Sequence, residues 1–143
     1  MIMTTERIVD MLENTGFPMA FGMQKEIAAL SGILHKNEEI KSATICFNQS
    51  NNSTNFLVLT NQRILKMDMM LGQDKFCEEF SLLKVESISY QKGMLMGIIE
   101  IQCEDKQLKI KKIDKKTGEV FVERAKAEMT GIELANPFMR NIC

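Results

Sequence analysis

The sequence has few of the side chains from which catalytic and metal sites are built. Its 143 residues include one histidine, His35, and four cysteines that lie far apart without a Cys-x-x-Cys pair. Structural zinc needs four ligands at short paired spacings, and a nucleophile–histidine dyad needs an orienting third group. Adjacent carboxylates occur at 38–39, 78–79 and 104–105, but neighbouring strand residues point to opposite faces and the third pair is typical of a turn. We therefore predict no catalytic residue, metal or cofactor.

Excess charge of one sign is also absent. Lysine and arginine number 18 against 19 acidic residues, a net charge of -1, whereas dedicated nucleic-acid binders carry a strongly basic surface. No apolar run approaches the roughly 20 residues of a membrane-spanning helix, and the N-terminus lacks the layout of a signal peptide. The composition argues against nucleic acid as a partner and predicts a cytoplasmic protein. Its cysteines are then free thiols, namely Cys46, Cys77, Cys103 and Cys143.

What is present is the balance of an ordinary globular protein. Apolar residues make up 45% of the chain and charged residues 26%, and this length suits one core with short extensions. Methionine is frequent, with 12 copies. Because methionine fills both irregular cores and adaptable contact surfaces, its abundance is compatible with partner binding.

The first 35 residues have helical periodicity. Ile8, Met11 and Leu12 fall on one face of a first helix that Gly16 can end. The apolar stripe of a second helix consists of Met23, Ile27, Leu30 and Leu34. We predict an N-terminal helical arm over residues 1–35, with a bend at Phe17-Pro18 and an apolar face that needs a surface to lie against.

From residue 39 the pattern changes to short strands. Two apolar runs within 55–69 flank the polar Thr60-Asn61-Gln62, which predicts an antiparallel hairpin. Both arms are largely apolar, which places the hairpin inside a sheet. The other five strands are predicted at 41–47, 75–80, 85–90, 98–103 and 107–113, with polar turns at 48–54 and 71–74. A helix over 115–129 follows, with a stop at Thr130-Gly131 and then coil.

Three segments carry a family resemblance, Phe56–Leu65, Val85–Gly93 and Ile98–Ile101, together with a closing helix that contains Glu119–Val122. They resemble the bacterial pleckstrin-homology-like (PH-like) domains, specifically the YokE-like group, over about residues 36–129. The resemblance implies a mainly β fold with helices (α+β), a seven-stranded bent antiparallel barrel capped by a C-terminal helix, and a role in docking rather than catalysis. The predicted division is an arm at 1–35, a PH-like domain at 36–130 and a C-terminal tail at 131–143.

An apolar connection suggests the leading function. Gly93–Gly97 contains Met94, Leu95 and Met96, and connections run over the surface, where exposed apolar groups mark contact sites. Together with Leu30 of the arm, these are the candidate protein-contact residues. We predict a non-enzymatic interaction module that acts through protein–protein contacts and associates with itself as a homo-oligomer.

A lysine run gives the first alternative. Residues 106–116 hold six lysines and one aspartate. Candidate contacts to a membrane surface or anionic ligand are Lys106, Lys109, Lys111 and Lys112. Equally, lysines on an edge strand discourage aggregation. The 48–54 loop lacks the basic residues of the inositol-phosphate sites that the resemblance would imply. A small inhibitor or accessory protein of a host complex, of mobile-element type, is a further alternative.

Overall fold

The computed structural model describes residues 3–17, 24–48, 53–68 and 76–135. In chain order the elements are α1 (Thr5–Asn14), α2 (Gln24–Ile33), β1 (Ile40–Asn48), β2 (Ser53–Thr60), β3 (Arg63–Asp68), β4 (Phe76–Ser81), β5 (Val85–Gln91), β6 (Gly97–Cys103), β7 (Lys106–Ile113) and α3 (Lys115–Ala135). All strand pairs are antiparallel, and the strands form one seven-stranded sheet. The predicted α+β fold with a C-terminal helix is confirmed.

The sheet bends so that residues of both edge strands join one apolar cluster. Its strand order is β4-β3-β2-β1-β7-β6-β5. The edge strands β4 and β5 are nevertheless consecutive in the chain and separated only by residues 82–84. The halves are joined by β1, which pairs along its length with β2 and with β7 only at Cys46, opposite Ile113. A sheet with this order and so short a link between its edges must curl around its own core.

Helix α3 fills the concave side of the curled sheet. Its buried face consists of Phe121, Val122, Ala125 and Met129, which repeat at helical spacing as predicted. These residues form an apolar cluster, which we call the central cluster, with both halves of the sheet, for example with Leu57 and Ile64 from one half and Ile99 from the other. Each such side chain contributes roughly 1.5–3 kcal/mol on burial. The helix therefore holds the two halves together.

The N-terminal helices cover the outer face of β1, β2 and β3. Ile8 and Leu12 from α1 and Leu30 from α2 are fully buried against Val58 and Leu65 of the sheet. A second apolar cluster, which we call the outer cluster, thus joins the arm to the sheet. The apolar faces of the two helices therefore pack against a surface of the same chain.

Strand β2 is buried on both faces because it lies between the two clusters. Phe56 and Val58 point into the outer cluster, whereas Leu57 and Leu59 point into the central one. All four side chains are buried. This explains why the hairpin sequence is almost continuously apolar, as expected for an interior strand.

The predicted end of the last helix is wrong. α3 continues through Gly131 to Ala135, and Ile132 packs against the central cluster. A helical glycine costs only about 1 kcal/mol relative to alanine, which a packed apolar residue one position later can offset. The segment predicted to be coil is therefore helical from residue 131 to Ala135. Residues 136–143 lie outside the described ranges.

The predicted end of the first helix agrees with the structure. Gly16 has a φ of 85° and donates its N–H to the carbonyl of Glu13 at 3.0 Å, the left-handed closure that glycine favours. Several other predictions fall wholly or partly outside the described residues. They are the bend at Pro18, Met23 of the second stripe, most of the 48–54 loop and the 71–74 turn.

Candidate functional site

Arg63 is a buried cation at the start of β3. Its guanidinium donates from Nε and Nη2 to the two carboxylate oxygens of Glu38, at 2.8 and 2.9 Å. Nη2 also donates to the carbonyl of Ile33 at 2.8 Å, and Nη1 donates to Glu79. Because Ile33 ends α2 and Glu38 precedes β1, this network fastens the end of the arm to the sheet.

Glu38 is fully buried, and its hydrogen bonds favour the ionised carboxylate. Besides the Arg63 bonds it accepts the Thr60 hydroxyl at 2.6 Å and the backbone N–H of His35 at 2.9 Å. Burial alone raises the pKa of Glu38, but the hydrogen bonds from Arg63, Thr60 and His35 outweigh it and hold the pKa below its usual value. The bond to Glu38 in turn raises the pKa of Arg63.

The rest of the β2–β3 turn is tied to the same segment. The Asn61 side chain accepts the N–H of Glu39 at 2.9 Å, and the Asn61 N–H donates to the Glu39 carbonyl at 3.0 Å. Gln62 Oε1 lies 3.0 Å from Nδ1 of His35. The Thr60 hydroxyl accepts the N–H of Gln62 at 3.0 Å and so closes the turn. The Thr-Asn-Gln-Arg motif thus joins the arm to the sheet.

A cleft of about 510 Å³ opens beside this network. Its wall includes His35, Gln62, Arg63, Glu79, Leu83 and Ile132. The Arg63 donors are occupied by Glu38, Ile33 and Glu79, so the arginine is not free for an anion. Glu79 is 64% exposed. The cleft therefore presents the Glu79 carboxylate to solvent rather than a free guanidinium.

The sequence interpretation missed this ion pair and treated Glu38 as one of two unremarkable adjacent carboxylates. A signal was present, because Arg63 belongs to the apolar hairpin that was predicted to lie inside a sheet. A cation in such a place requires a hydrogen-bonded carboxylate. Its partner lies 25 residues earlier in the chain, a distance that no local pattern bridges.

The Gly93–Gly97 loop between β5 and β6 stands out from the surface. Met94 is 92% exposed, Leu95 87% and Met96 37%. Lys115 Nζ donates to the Met94 carbonyl at 3.1 Å and steadies the loop against α3. A Cβ on Gly93 would lie 2.1 Å from the Met96 carbonyl oxygen, so the turn requires glycine there. The chain thus holds two large apolar side chains in water at a defined position.

Leu30 does not share this surface. It is completely buried in the outer cluster, so it is not available to a second protein in this structure. The prediction of a contact at Leu30 is therefore corrected to a role within the chain. Helical periodicity identified an apolar face, but periodicity alone does not show which surface covers that face.

The predicted lysine contacts all lie on β7. Lys106, Lys109 and Lys111 are exposed and Lys112 is half-buried, while Lys109 Nζ lies 3.9 Å from a carboxylate oxygen of Glu100. In the strand order β7 lies between β1 and β6. However, β7 pairs with β1 only at Ile113, so its other residues have an unpaired side. The alternative that these lysines protect a strand edge therefore stays a prediction.

The two cysteines with described side chains lie at buried or half-buried positions. Cys46 and Cys103 are free thiols, and burial raises the pKa of both. The Cys46 thiol donates to the Lys111 carbonyl at 2.9 Å. Among residues with described side chains, no group of three or more His, Cys, Asp or Glu could hold a metal ion. The side chains of Cys77 and Cys143 lie outside that set.

Comparison with known proteins gives the family. The model of the bacterial PH domain matches residues 34–126, which include Glu38, the β2–β3 turn and most of α3. No curated protein matches the chain significantly. The match does not distinguish the YokE-like group, which stays a prediction. No helix within the described ranges is long and apolar enough to cross a bilayer.

Two solved structures share the fold. A protein with a pleckstrin-homology domain from Shewanella loihica PV-4 aligns with a TM-score of 0.54 and 14% identity, over 76% of this chain and 93% of its own. A pleckstrin homology domain from Shewanella amazonensis SB2B aligns with a TM-score of 0.52 and 18% identity, over 75% and 96%. Since the family model covers more than half of the sequence, the chain belongs to the bacterial PH domain family.

Proposed function

We propose that this PH-like domain is a non-enzymatic interaction module that acts through protein–protein contacts, including contacts between its own copies, and that the Gly93–Gly97 loop is a contact surface. The observation that carries the proposal is the exposure of Met94 and Leu95, at 92% and 87%. Covering each of these side chains stabilises a complex by roughly 1.5–3 kcal/mol. The hydrogen bond from Lys115 already holds the loop in place, so less conformational entropy is lost when a partner docks.

Replacing Leu95 with Glu tests self-association through the loop. We expect the unmodified protein to show a mass above that of the monomer in multi-angle light scattering at micromolar concentration. Leu95→Glu should weaken association by about 30-fold or more, because it removes an apolar contact and places a charge in the interface.

The matched control is Gln91→Glu, which adds the same charge at an exposed position just before the loop. It should leave the mass unchanged. A monomeric unmodified protein would remove self-association from the proposal. Equal effects of the two variants would remove the loop as the contact surface.

A second candidate is peripheral binding to an anionic membrane. Lys92 adjoins the loop in sequence and Lys115 contacts it, and neither of them forms an ion pair with a residue in the described ranges. An apolar tip with a basic border suits the interface of an acidic bilayer. In this candidate, the lysines that contact the membrane are those beside the loop rather than those on β7.

Sedimentation with phosphatidylglycerol vesicles separates the two lysine groups. At low salt we expect Lys92→Gln/Lys115→Gln to reduce binding about 30-fold, since each lysine near an anionic surface contributes about 1 kcal/mol. Lys106→Gln/Lys109→Gln removes the same charge from β7 and should have a smaller effect. The opposite ranking would return the contact to β7, and no pelleting at low salt would exclude membrane binding.

A further inference from the structure

A second pocket lies between β1, the end of α1 and the first turns of α3. It has a volume of about 190 Å³, below the roughly 300–1,000 Å³ of sites for larger organic ligands. The space exists because β1 pairs with β7 only at Cys46 and leaves the earlier part of that strand edge open. The polar part of its wall consists of Thr15, Ser42, Lys116, Thr117 and Arg124.

Arg124 lines this pocket and keeps one edge of its guanidinium without a partner among the described residues. Its Nη1 donates to the carbonyls of Thr15 and Lys41, at 2.8 and 3.1 Å. Nε and Nη2 form no hydrogen bond with any residue in the described ranges, and no described carboxylate pairs with them. In Arg63 the corresponding nitrogens, Nε and Nη2, donate to both oxygens of Glu38. Arg124 can therefore grip two oxygens of an anion in the same way.

Ser42 supplies a second free donor. Its side chain lines the pocket and is only 3% exposed, yet its hydroxyl forms no hydrogen bond within the described part of the chain. A hydroxyl that lines a pocket and has no partner in the described part of the chain can donate to a ligand there. Along a strand, the backbone polar groups of every second residue point to the same edge. The backbone of Ala43 therefore faces the same open edge as the carbonyls of Lys41 and Ile45. The carbonyls two residues to either side, Lys41 and Ile45, both accept from donors of the α3 region.

The charge around the pocket is positive. Lys116 has no ion-pair partner among the described residues, and none of the described residues that line the pocket is acidic. Asp114 is nearby in sequence but accepts the N–H and hydroxyl of Thr117, at 3.1 and 2.7 Å, as the cap of α3. We propose that this pocket, built from Arg124, Ser42 and Lys116, binds a small tetrahedral oxyanion, namely phosphate or the phosphoryl group of a small molecule.

The test is a titration of the full chain with inorganic phosphate, followed by amide chemical shifts at constant ionic strength. We expect saturable shifts at Ser42, Ala43 and Thr117. Lys116→Gln and Ser42→Ala should each weaken binding about fivefold or more, because each removes a donor to the anion. Ser42→Ala should unfold no more easily than the unmodified protein without phosphate, since its hydroxyl has no protein partner.

The matched control is Lys126→Gln, which removes an exposed lysine from the same helix and should leave phosphate binding unchanged. Shifts that do not saturate, or equal losses in Lys116→Gln and Lys126→Gln, would overturn the proposal. Titration with glycerol 3-phosphate identifies the source of the group. Tighter binding than inorganic phosphate indicates an ester, and weaker binding indicates the free ion. The pocket does not include the Gly93–Gly97 loop, so its test stands apart from the association experiment.

Discussion

Replacing Arg63 with Met should lower the free energy of unfolding by about 3–5 kcal/mol at pH 7, the cost of breaking a buried ion pair from one side. The substitution keeps a long side chain but leaves the carboxylate of Glu38 with no cation at 0% exposure. It also removes the donor to the carbonyl of Ile33. Urea unfolding followed by circular dichroism measures the effect.

Lys109→Met is the matched control for that change. Lys109 is exposed and lies 3.9 Å from a Glu100 oxygen that is itself partly exposed, so its loss should cost no more than about 0.5 kcal/mol. The double variant Arg63→Met/Glu38→Gln should be more stable than Arg63→Met alone, because the uncompensated charge is gone. If the losses of stability in Arg63→Met and Glu38→Gln simply add in the double variant, the two side chains do not stabilise the fold through their interaction with each other.

The pH dependence of the same variants has a definite sign. In the unmodified protein the folded pKa of Glu38 is depressed. Its contribution is therefore fully present above the unfolded pKa of about 4.3 and is lost as pH falls through the folded value. In Arg63→Met, burial is no longer outweighed, and the folded pKa should rise. The gap between the two proteins should narrow from pH 7 towards acid pH, and a constant gap would contradict this account.

The local patterns of the sequence were sufficient for most of the fold. Alternating apolar residues located the strands, and the continuous apolar character of Phe56–Leu59 indicated a strand inside the sheet. The period of Phe121, Val122 and Ala125 located the closing helix. These features depend on short-range geometry, so a single sequence displays them.

The parts that the sequence did not reveal depend on contacts between distant segments. Glu38 and Arg63 meet because the arm ends beside the β2–β3 turn, and Arg124 reaches the end of α1 at Thr15. Leu30 and Leu95 are both leucines within apolar patterns, yet one is fully buried and the other 87% exposed. Only the three-dimensional arrangement of the chain distinguishes a covered apolar side chain from an exposed one.

That distinction gives the second large prediction. Leu30→Ala should lower the free energy of unfolding by about 2–5 kcal/mol, because it leaves a cavity in the outer cluster. Leu95→Ala makes the same chemical change at an exposed position and should stay within about 0.5 kcal/mol of the unmodified protein. Urea denaturation curves of the two variants measure the difference.

The fluorescence of Tyr90 tests whether the arm and the sheet unfold together. It is the only tyrosine, the chain has no tryptophan, and it packs against the central cluster rather than the outer cluster that contains Leu30. Because β2 is shared by both clusters, damage at Leu30 should move the Tyr90 fluorescence transition and the far-ultraviolet circular dichroism transition by equal amounts. Separate transitions, with Tyr90 unaffected, would mean that the helices at 1–35 are an appendage that unfolds independently of the PH-like domain.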